Sequence, residues 1–177
     1  PLPTISAGTD KTVCAGSTTT LSASGGSTYS WSPATGLSCT SCTNPTVTAT
    51  TTTTYILTGT DTNGCVNTDT VIVNVNLLPS VNAGADKTIC SGSSTTLSAT
   101  GASTYSWSLA TGLSCTACAS PTASPSTTTS YVVTGTDANG CTNKDTISVK
   151  VNSLPAVSAG PDKAACNGTS VSLTATG

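Results

Sequence analysis

The sequence predicts an all-β protein built from tandem β-sandwich domains. Thr, Val, Ser and Tyr fill short segments that turn residues separate. No segment keeps the apolar period of a helix. The chain also repeats itself without any insertion, so that Cys14, Cys90 and Cys166 are evenly spaced and Trp31 shares one repeat position with Trp107. The repeat is itself a domain, because solenoid repeats are shorter, at roughly 20–50 residues.

The repeat pattern divides the chain into three parts. Residues 1–76 and 77–152 are complete repeats, and residues 153–177 match the first part of a third. We therefore expect the chain to be a window from a longer tandem array. The junctions between repeats are short and contain proline, which favours an extended array.

Seven or so short strands are predicted in the first repeat, counting the two parts of an interrupted first strand, because alternating β-branched and apolar residues lie between turn residues. In chain order they are an interrupted strand over Pro3–Ala7 and Thr12–Cys14, then Thr19–Ala23, Thr28–Ser32, Pro45–Thr50, Tyr55–Asp61 and Thr70–Val75. Ala15-Gly16-Ser17 and Gly25-Gly26 are turns, and Ala34–Asn44 is irregular. Pro45 begins a strand, where no ladder N–H is needed. Asn63-Gly64 is typical of a hairpin turn.

The second repeat shows which strand faces are buried. Val71 and Val73 become Ile147 and Val149, whereas Ile72 becomes Ser148, so the odd-numbered positions should face the core. Short strands, with a Trp on the third and a Tyr opening the penultimate one, predict a sandwich of immunoglobulin type. The predicted core aromatics are Trp31, Tyr29 and Tyr55, with Trp107, Tyr105 and Tyr131 in the second repeat. The alternative is a sugar-stacking platform, which would need these rings at the surface.

Composition limits the possible functions. The chain has nine cysteines and no histidine, so disulfides are favoured over zinc, and they indicate an oxidising compartment outside the cytosol. Without histidine, no serine has its usual activating base, and we predict neither an enzyme nor a cofactor. A net charge of −2 gives no electrostatic footprint for nucleic acid. No segment approaches the roughly 20 apolar residues of a membrane span.

The cysteines should pair in two ways. Cys39 with Cys42, and Cys115 with Cys118, lie close together in an irregular segment and can pair locally. The outer cysteines are harder to assign, because Cys14 and Cys65 are expected at opposite ends of one sandwich, and a disulfide needs Cα atoms within about 7 Å. Either an irregular first strand lets Cys14 reach Cys65, or Cys14 bonds to Cys141 of the next repeat. Cys90 belongs to the same outer set, and the sequence leaves both pairings open.

Three segments carry a resemblance to a known family. They are Ala7-Gly8 with Asp10–Cys14 and Gly16, then Tyr29–Ser38, and Thr51–Tyr55 followed by Thr58–Cys65. Together they resemble the immunoglobulin-like, PKD-like repeats of giant Bacteroidota surface adhesins, including the SprB type used in gliding motility. The resemblance implies an extracellular, cell-surface protein exported by the type IX system and linked to the motility machinery through regions outside this segment. Pro33 of this pattern is Leu109 in the second repeat, where we expect a local change in the turn.

Two weaker signals concern ligands and modification. Asp61-x-Asn63-Gly64 and its copy from Asp137 resemble part of a calcium loop, with Asp69 and Asp145 as further candidates. A hairpin turn explains the same residues. Asp69-Thr70-Val71 and Asp145-Thr146-Ile147 resemble the O-glycosylation signal of Bacteroidota, which would place sugars on Thr70 and Thr146. A surface strand start is the alternative there.

The favoured function is a repetitive extracellular stalk in a long adhesin, for surface attachment and gliding. The repeats are nearly identical and have no variable loop, which favours a role as a spacer over a role in ligand recognition. In the first alternative, each repeat binds a glycan or surface and the array acts by avidity. In the second, the chain assembles into an extracellular filament or sheath. The expected partners are neighbouring repeats and external surfaces or polysaccharide.

Overall fold

The computed structural model describes residues Pro1–Gly177. It contains twelve strands and no helix, and therefore no helix able to cross a membrane. The strands of the first repeat are β1 (Lys11–Cys14), β2 (Thr18–Thr20), β3 (Thr28–Ser32), β4 (Thr46–Thr48), β5 (Thr53–Thr60) and β6 (Val66–Asn76). Those of the second are β7 (Lys87–Cys90), β8 (Thr95–Thr96), β9 (Thr104–Ser108), β10 (Thr122–Ala123), β11 (Thr129–Thr136) and β12 (Thr142–Asn152).

Each complete repeat forms a four-stranded and a two-stranded sheet. In the first repeat the orders are β1-β6-β5-β3 and β2-β4, and in the second they are β7-β12-β11-β9 and β8-β10. β1 runs parallel to β6, whereas β6 is antiparallel to β5 and β5 is antiparallel to β3. An edge strand paired in parallel with the last strand, beside an otherwise antiparallel sandwich, is the immunoglobulin-like arrangement. The predicted all-β, immunoglobulin-like fold class is confirmed.

The core of each repeat lies between its two sheets. In the first repeat Leu21 and Val47 contribute from the β2-β4 side, and Trp31, Leu57 and Val73 from the larger sheet. The second repeat has a separate core with the equivalent side chains. On β6, Val71 and Val73 are buried and Ile72 is half-buried, as the alternation predicts.

Some strand boundaries differ from the sequence-based prediction. Pro3–Ala7 forms a single bridge, between Ser6 and Ser24, instead of a strand. β2 ends at Thr20, and beyond it Leu21 and Ala23 donate to the irregular 43–45 segment. β6 begins at Val66 instead of Thr70, because its pairing with β5 continues to the hairpin turn, where Val66 lies opposite Thr60.

The chain divides into two compact units. One contains Pro1–Ser80 with Gly135–Asn143, and the other contains Val81–Thr134 with Lys144–Gly177. The first unit therefore includes the turn between β11 and β12, although every sheet takes its strands from a single repeat. The repeat boundaries at 76 and 152 stay a proposal based on the sequence pattern.

Candidate functional site

The outer cysteines form one long-range bond. Cys14 ends β1 and Cys141 lies immediately before β12, and a disulfide joins them with a Cα–Cα distance of 5.5 Å and a sequence separation of 127. Of the two outer pairings that the sequence left open, the structure contains this one. Cys65, Cys90 and Cys166 carry free thiols.

Local backbone bonds hold both ends of this disulfide. At Cys14, the carbonyl accepts the amide of Ser17 at 3.0 Å, and the amide of Ala15 donates to Asn76 of β6 at 2.8 Å. At Cys141, the amide donates to Oδ1 of Asp137 at 2.8 Å. Cys141 is fully buried in the structure. The sulfur atoms are thus held on a β-turn and on a hairpin, which gives each a defined position.

The two short disulfides close the loops that follow β3 and β9. Cys39 is bonded to Cys42, and Cys115 to Cys118. The carbonyl of Cys42 accepts the indole N–H of Trp31 at 3.0 Å, and that of Thr40 accepts the Trp31 amide at 2.7 Å. β3 is an edge strand, so this loop covers backbone groups that would otherwise be open to another chain.

The aromatic side chains lie in the two cores or against them. Trp31, Trp107, Tyr55 and Tyr131 are each at most 3% exposed, and Tyr29 and Tyr105 are half-buried. Burial raises the pKa of the Tyr55 and Tyr131 hydroxyls. The Tyr55 hydroxyl donates to the carbonyl of Thr35 at 2.7 Å. No open aromatic platform is formed by these rings.

The calcium candidates have structural partners. Oδ1 of Asp61 accepts the amides of Asn63 and Cys65, and so fixes the hairpin turn. Oδ2 of Asp69 accepts the amide of Ala7 at 2.8 Å, and Asp145 does the same for Ala83. The backbone donors hold the pKa of the Asp145 carboxyl below its usual range. The structure contains no group of three or more acidic, cysteine or histidine side chains that could hold a metal ion.

Sequence reasoning missed the groups that attach the first segment of each repeat to its last strand. Asn67 donates its side-chain amide to the carbonyl of Pro3 at 2.9 Å, and Asp10 accepts the amide of Ile72 at 2.9 Å. Equivalent contacts in the second repeat join Asn143 to Pro79 and Ser148 to Asp86. These polar residues recur at equal spacing in the two repeats, and that recurrence is the sequence signal that could have indicated the contacts. The glycosylation candidates Thr70 and Thr146 are exposed, on β6 and β12.

The comparisons give structural likenesses and no family. No protein-family model matches the chain. No curated protein matches it either. A Drosophila OTK structure, extracellular domains 3–5, matches with 11% identity over 86% of this chain and 60% of that chain, at a TM-score of 0.43.

Two further solved structures are similar at the same level. The insect immune protein hemolin matches with 18% identity over 86% of this chain and 47% of its own, at a TM-score of 0.44. Sidekick-1 immunoglobulin domains 1–4 match with 16% identity over 90% and 54%, at a TM-score of 0.37. The scores are low, so the fold assignment above rests on strand order and pairing. The structure contains no pocket.

Proposed function

We propose that this chain is a stalk segment of a long extracellular adhesin and that its role is to hold a binding region away from the cell. The observation that carries the proposal is the bond between Cys14 and Cys141, which ties one repeat covalently to the next. A hinge at that junction would have to move both ends of a disulfide whose neighbours are fixed by hydrogen bonds. Such a junction suits a spacer.

The extracellular location is supported by the cysteine chemistry. Three disulfides are present, and disulfides form and persist in oxidising compartments. The role in surface attachment and gliding, with export by the type IX system, follows from the resemblance to Bacteroidota surface adhesins. The same resemblance gives the motility machinery as a partner through regions outside this segment.

A non-enzymatic role agrees with the assignments of the polar side chains. The carboxylates of Asp61, Asp69 and Asp145 accept backbone amides within the sandwich. Trp31, Trp107, Tyr55 and Tyr131 are buried in the two cores. These groups therefore hold the fold together, and the exposed faces of the larger sheets consist mostly of Thr and Ser.

The proposal is tested by bead adhesion. Beads carrying the oxidised chain are exposed to a glycan array and to polysaccharide-coated glass, with protein-free beads as the control. A spacer should give no retention above the control. Retention that grows steeply with protein density would contradict the spacer and favour binding by avidity. Sedimentation of the same protein over a concentration series would reveal assembly, which would favour the filament or sheath.

A further inference from the structure

The two short disulfides differ from the long-range disulfide in their access to solvent. Cys39, Cys42, Cys115 and Cys118 are half-buried, and the two residues between the members of each pair are exposed. Cys141 of the long-range bond is fully buried. A thiolate from another molecule must reach a disulfide sulfur in order to attack it. Access therefore favours reaction at the short disulfides.

The loop that carries Cys39 and Cys42 is held by hydrogen bonds that do not involve sulfur. The amide of Trp31 donates to the carbonyl of Thr40 at 2.7 Å, and its indole N–H donates to the carbonyl of Cys42 at 3.0 Å. The Trp31 ring is itself fixed in the core. Because these bonds do not depend on the S–S bond, the two cysteines should keep their Cα–Cα separation of 6.0 Å as thiols.

A serine hydroxyl lies beside one sulfur of each pair. Oγ of Ser38 accepts the amide of Thr46 at 3.0 Å, and its own O–H donates toward Sγ of Cys39 at 3.9 Å. The same arrangement recurs between Ser114 and Cys115, also at 3.9 Å. A hydrogen-bond donor stabilises a neighbouring thiolate, and a stabilised thiolate leaves a disulfide faster. Cys39 and Cys115 are therefore the better leaving groups.

We propose that each short disulfide is a preorganised thiol–disulfide exchange site for an exposed dithiol on another molecule. A substrate thiolate attacks Sγ of Cys42, the S–S bond breaks, and Cys39 leaves as a thiolate beside Ser38. The second substrate thiolate then attacks the substrate sulfur bonded to Cys42 and releases the Cys42 thiolate. The substrate becomes a disulfide, and the two cysteines gain its two electrons and two protons. This exchange does not depend on the spacer role.

Selective reduction of the folded chain tests access. The free thiols of the oxidised chain are first blocked with iodoacetamide, and dithiothreitol is then added as the dithiol substrate. New thiols are labelled with N-ethylmaleimide at intervals and located by peptide mapping. In native buffer, both short disulfides should open faster than the bond between Cys14 and Cys141, by about tenfold or more. Opening of the long-range bond at the same rate, or first, would overturn the proposal.

A matched peptide tests whether the fold holds the two thiols together. The oxidised fraction of Cys39 and Cys42 in a series of glutathione buffers gives the effective concentration of one thiol at the other. This value is measured for the chain and for an acetylated peptide of residues 37–44. It should be higher in the chain by about tenfold or more, because the loop is fixed there. Equal values would overturn the proposal.

Trp31→Phe tests the source of that preorganisation. The variant removes the indole donor to the Cys42 carbonyl, so the effective concentration at Cys39 and Cys42 should fall toward the peptide value. The value at Cys115 and Cys118 of the same molecule should stay as in the parent. A parental value at both sites would exclude the indole bond as the element that holds the loop.

The second repeat is also an internal control for Ser38. Ser38→Ala should slow the opening of the Cys39–Cys42 bond relative to the Cys115–Cys118 bond by about threefold or more, because the leaving thiolate loses its donor. Ser38→Thr keeps a hydroxyl and should restore the parental ratio of the two rates. A ratio that Ser38→Ala leaves unchanged, or that Ser38→Thr fails to restore, would overturn the role assigned to the serine.

Discussion

At the scale of single residues, Trp31 links the core to the disulfide loop. Its ring is 2% exposed, and its indole N–H donates to the carbonyl of Cys42. Phenylalanine could fill much of this space but could not make that hydrogen bond. The position therefore requires both size and a donor, and the same arrangement recurs between Trp107 and Cys118.

Replacing Trp31 tests this double role. Trp31→Ala should lower the free energy of unfolding by about 3–5 kcal/mol, the usual range for truncating a large buried aromatic. Trp31→Phe should cost less, about 1–2 kcal/mol, because apolar burial is mostly kept while the Cys42 carbonyl loses its partner. Urea denaturation followed by circular dichroism measures both. An alanine variant that unfolds like the parent would show that the ring contributes no core packing.

Leu109 occupies an unfavourable backbone conformation. Its φ is 62°, and its side chain is 57% exposed. The left-handed region costs an L-residue roughly 1–2 kcal/mol, and glycine avoids that cost while losing about 0.5–1 kcal/mol in chain entropy. The equivalent position in the first repeat is Pro33, which follows a cis peptide bond. The expected difference in the turn is present and local.

Leu109→Gly should therefore raise the stability of the protein by about 0.5–1 kcal/mol. Leu77→Gly is the control, because Leu77 is also exposed but has no positive φ. That variant should be neutral or destabilised. Melting temperatures compare the two, and an equal shift in both would refute the backbone explanation.

At the scale of elements, the first segment of each repeat depends on polar anchors on the last strand. Asp145 of β12 accepts the buried amide of Ala83, and Asp86 accepts the amide of Ser148 in return. Each of these hydrogen bonds joins residues near the start of the repeat to its last strand. The residues that precede β7 form only a single backbone bridge, between Asn82 and Thr100, so these contacts help to hold them in place.

The Asp145 anchor predicts a pH dependence. Hydrogen bonds from the amides of Ala83 and Thr146 lower the pKa of its carboxyl, so the charged form stabilises the folded state. This contribution is complete above the unfolded pKa of about 3.9 and is lost as the pH falls through the lower folded value. The stability difference between the parent and Asp145→Asn should be largest at neutral pH and shrink in acid. Urea titrations at several pH values check this, and a constant difference would exclude the carboxylate as the cause.

The strands were largely predictable from the sequence, and their boundaries less so. Thr28–Ser32 has the predicted bounds, because its alternation is regular and turn residues lie on both sides. β6 begins earlier than predicted, because Asn67 and Asp69 look like loop residues until their partners on the first segment are known. Local patterns show which face is buried, but they do not show long-range polar contacts.

At the scale of the whole molecule, the disulfide between Cys14 and Cys141 is the longest-range feature. The sequence limited the partner of Cys14 to two residues through the usual geometry of a sandwich. It could not decide between them, because Cys65 and Cys141 both follow an Asn-Gly pair and an Asp four positions earlier that accepts their amides. The difference lies in three-dimensional position alone.

Removing this bond should be costly. The double variant Cys14→Ala, Cys141→Ala should lose about 4–5 kcal/mol of unfolding free energy, the entropy that a crosslink over some hundred residues removes from the unfolded chain. Cys65→Ser, at a free thiol, should change stability by less than about 0.5 kcal/mol. Denaturation with and without reductant measures this. A double variant as stable as the oxidised parent would argue against the bond.

The same bond decides how tension would pass through the chain. When the protein is held at its two ends, force enters along residues 1–14, crosses the sulfur atoms and leaves along residues 141–177. The chain between Cys14 and Cys141 forms a loop that is closed by the disulfide and contains most of both sandwiches. The strands in this loop therefore do not carry the applied force. At about 3.5 Å per extended residue, the fully stretched chain should have an end-to-end length of roughly 18 nm while the bond is intact. Once the bond is reduced, that length should be roughly 60 nm. Reduction under load would thus release a hidden length of about 40 nm, turning a short tether into a long one without detaching it.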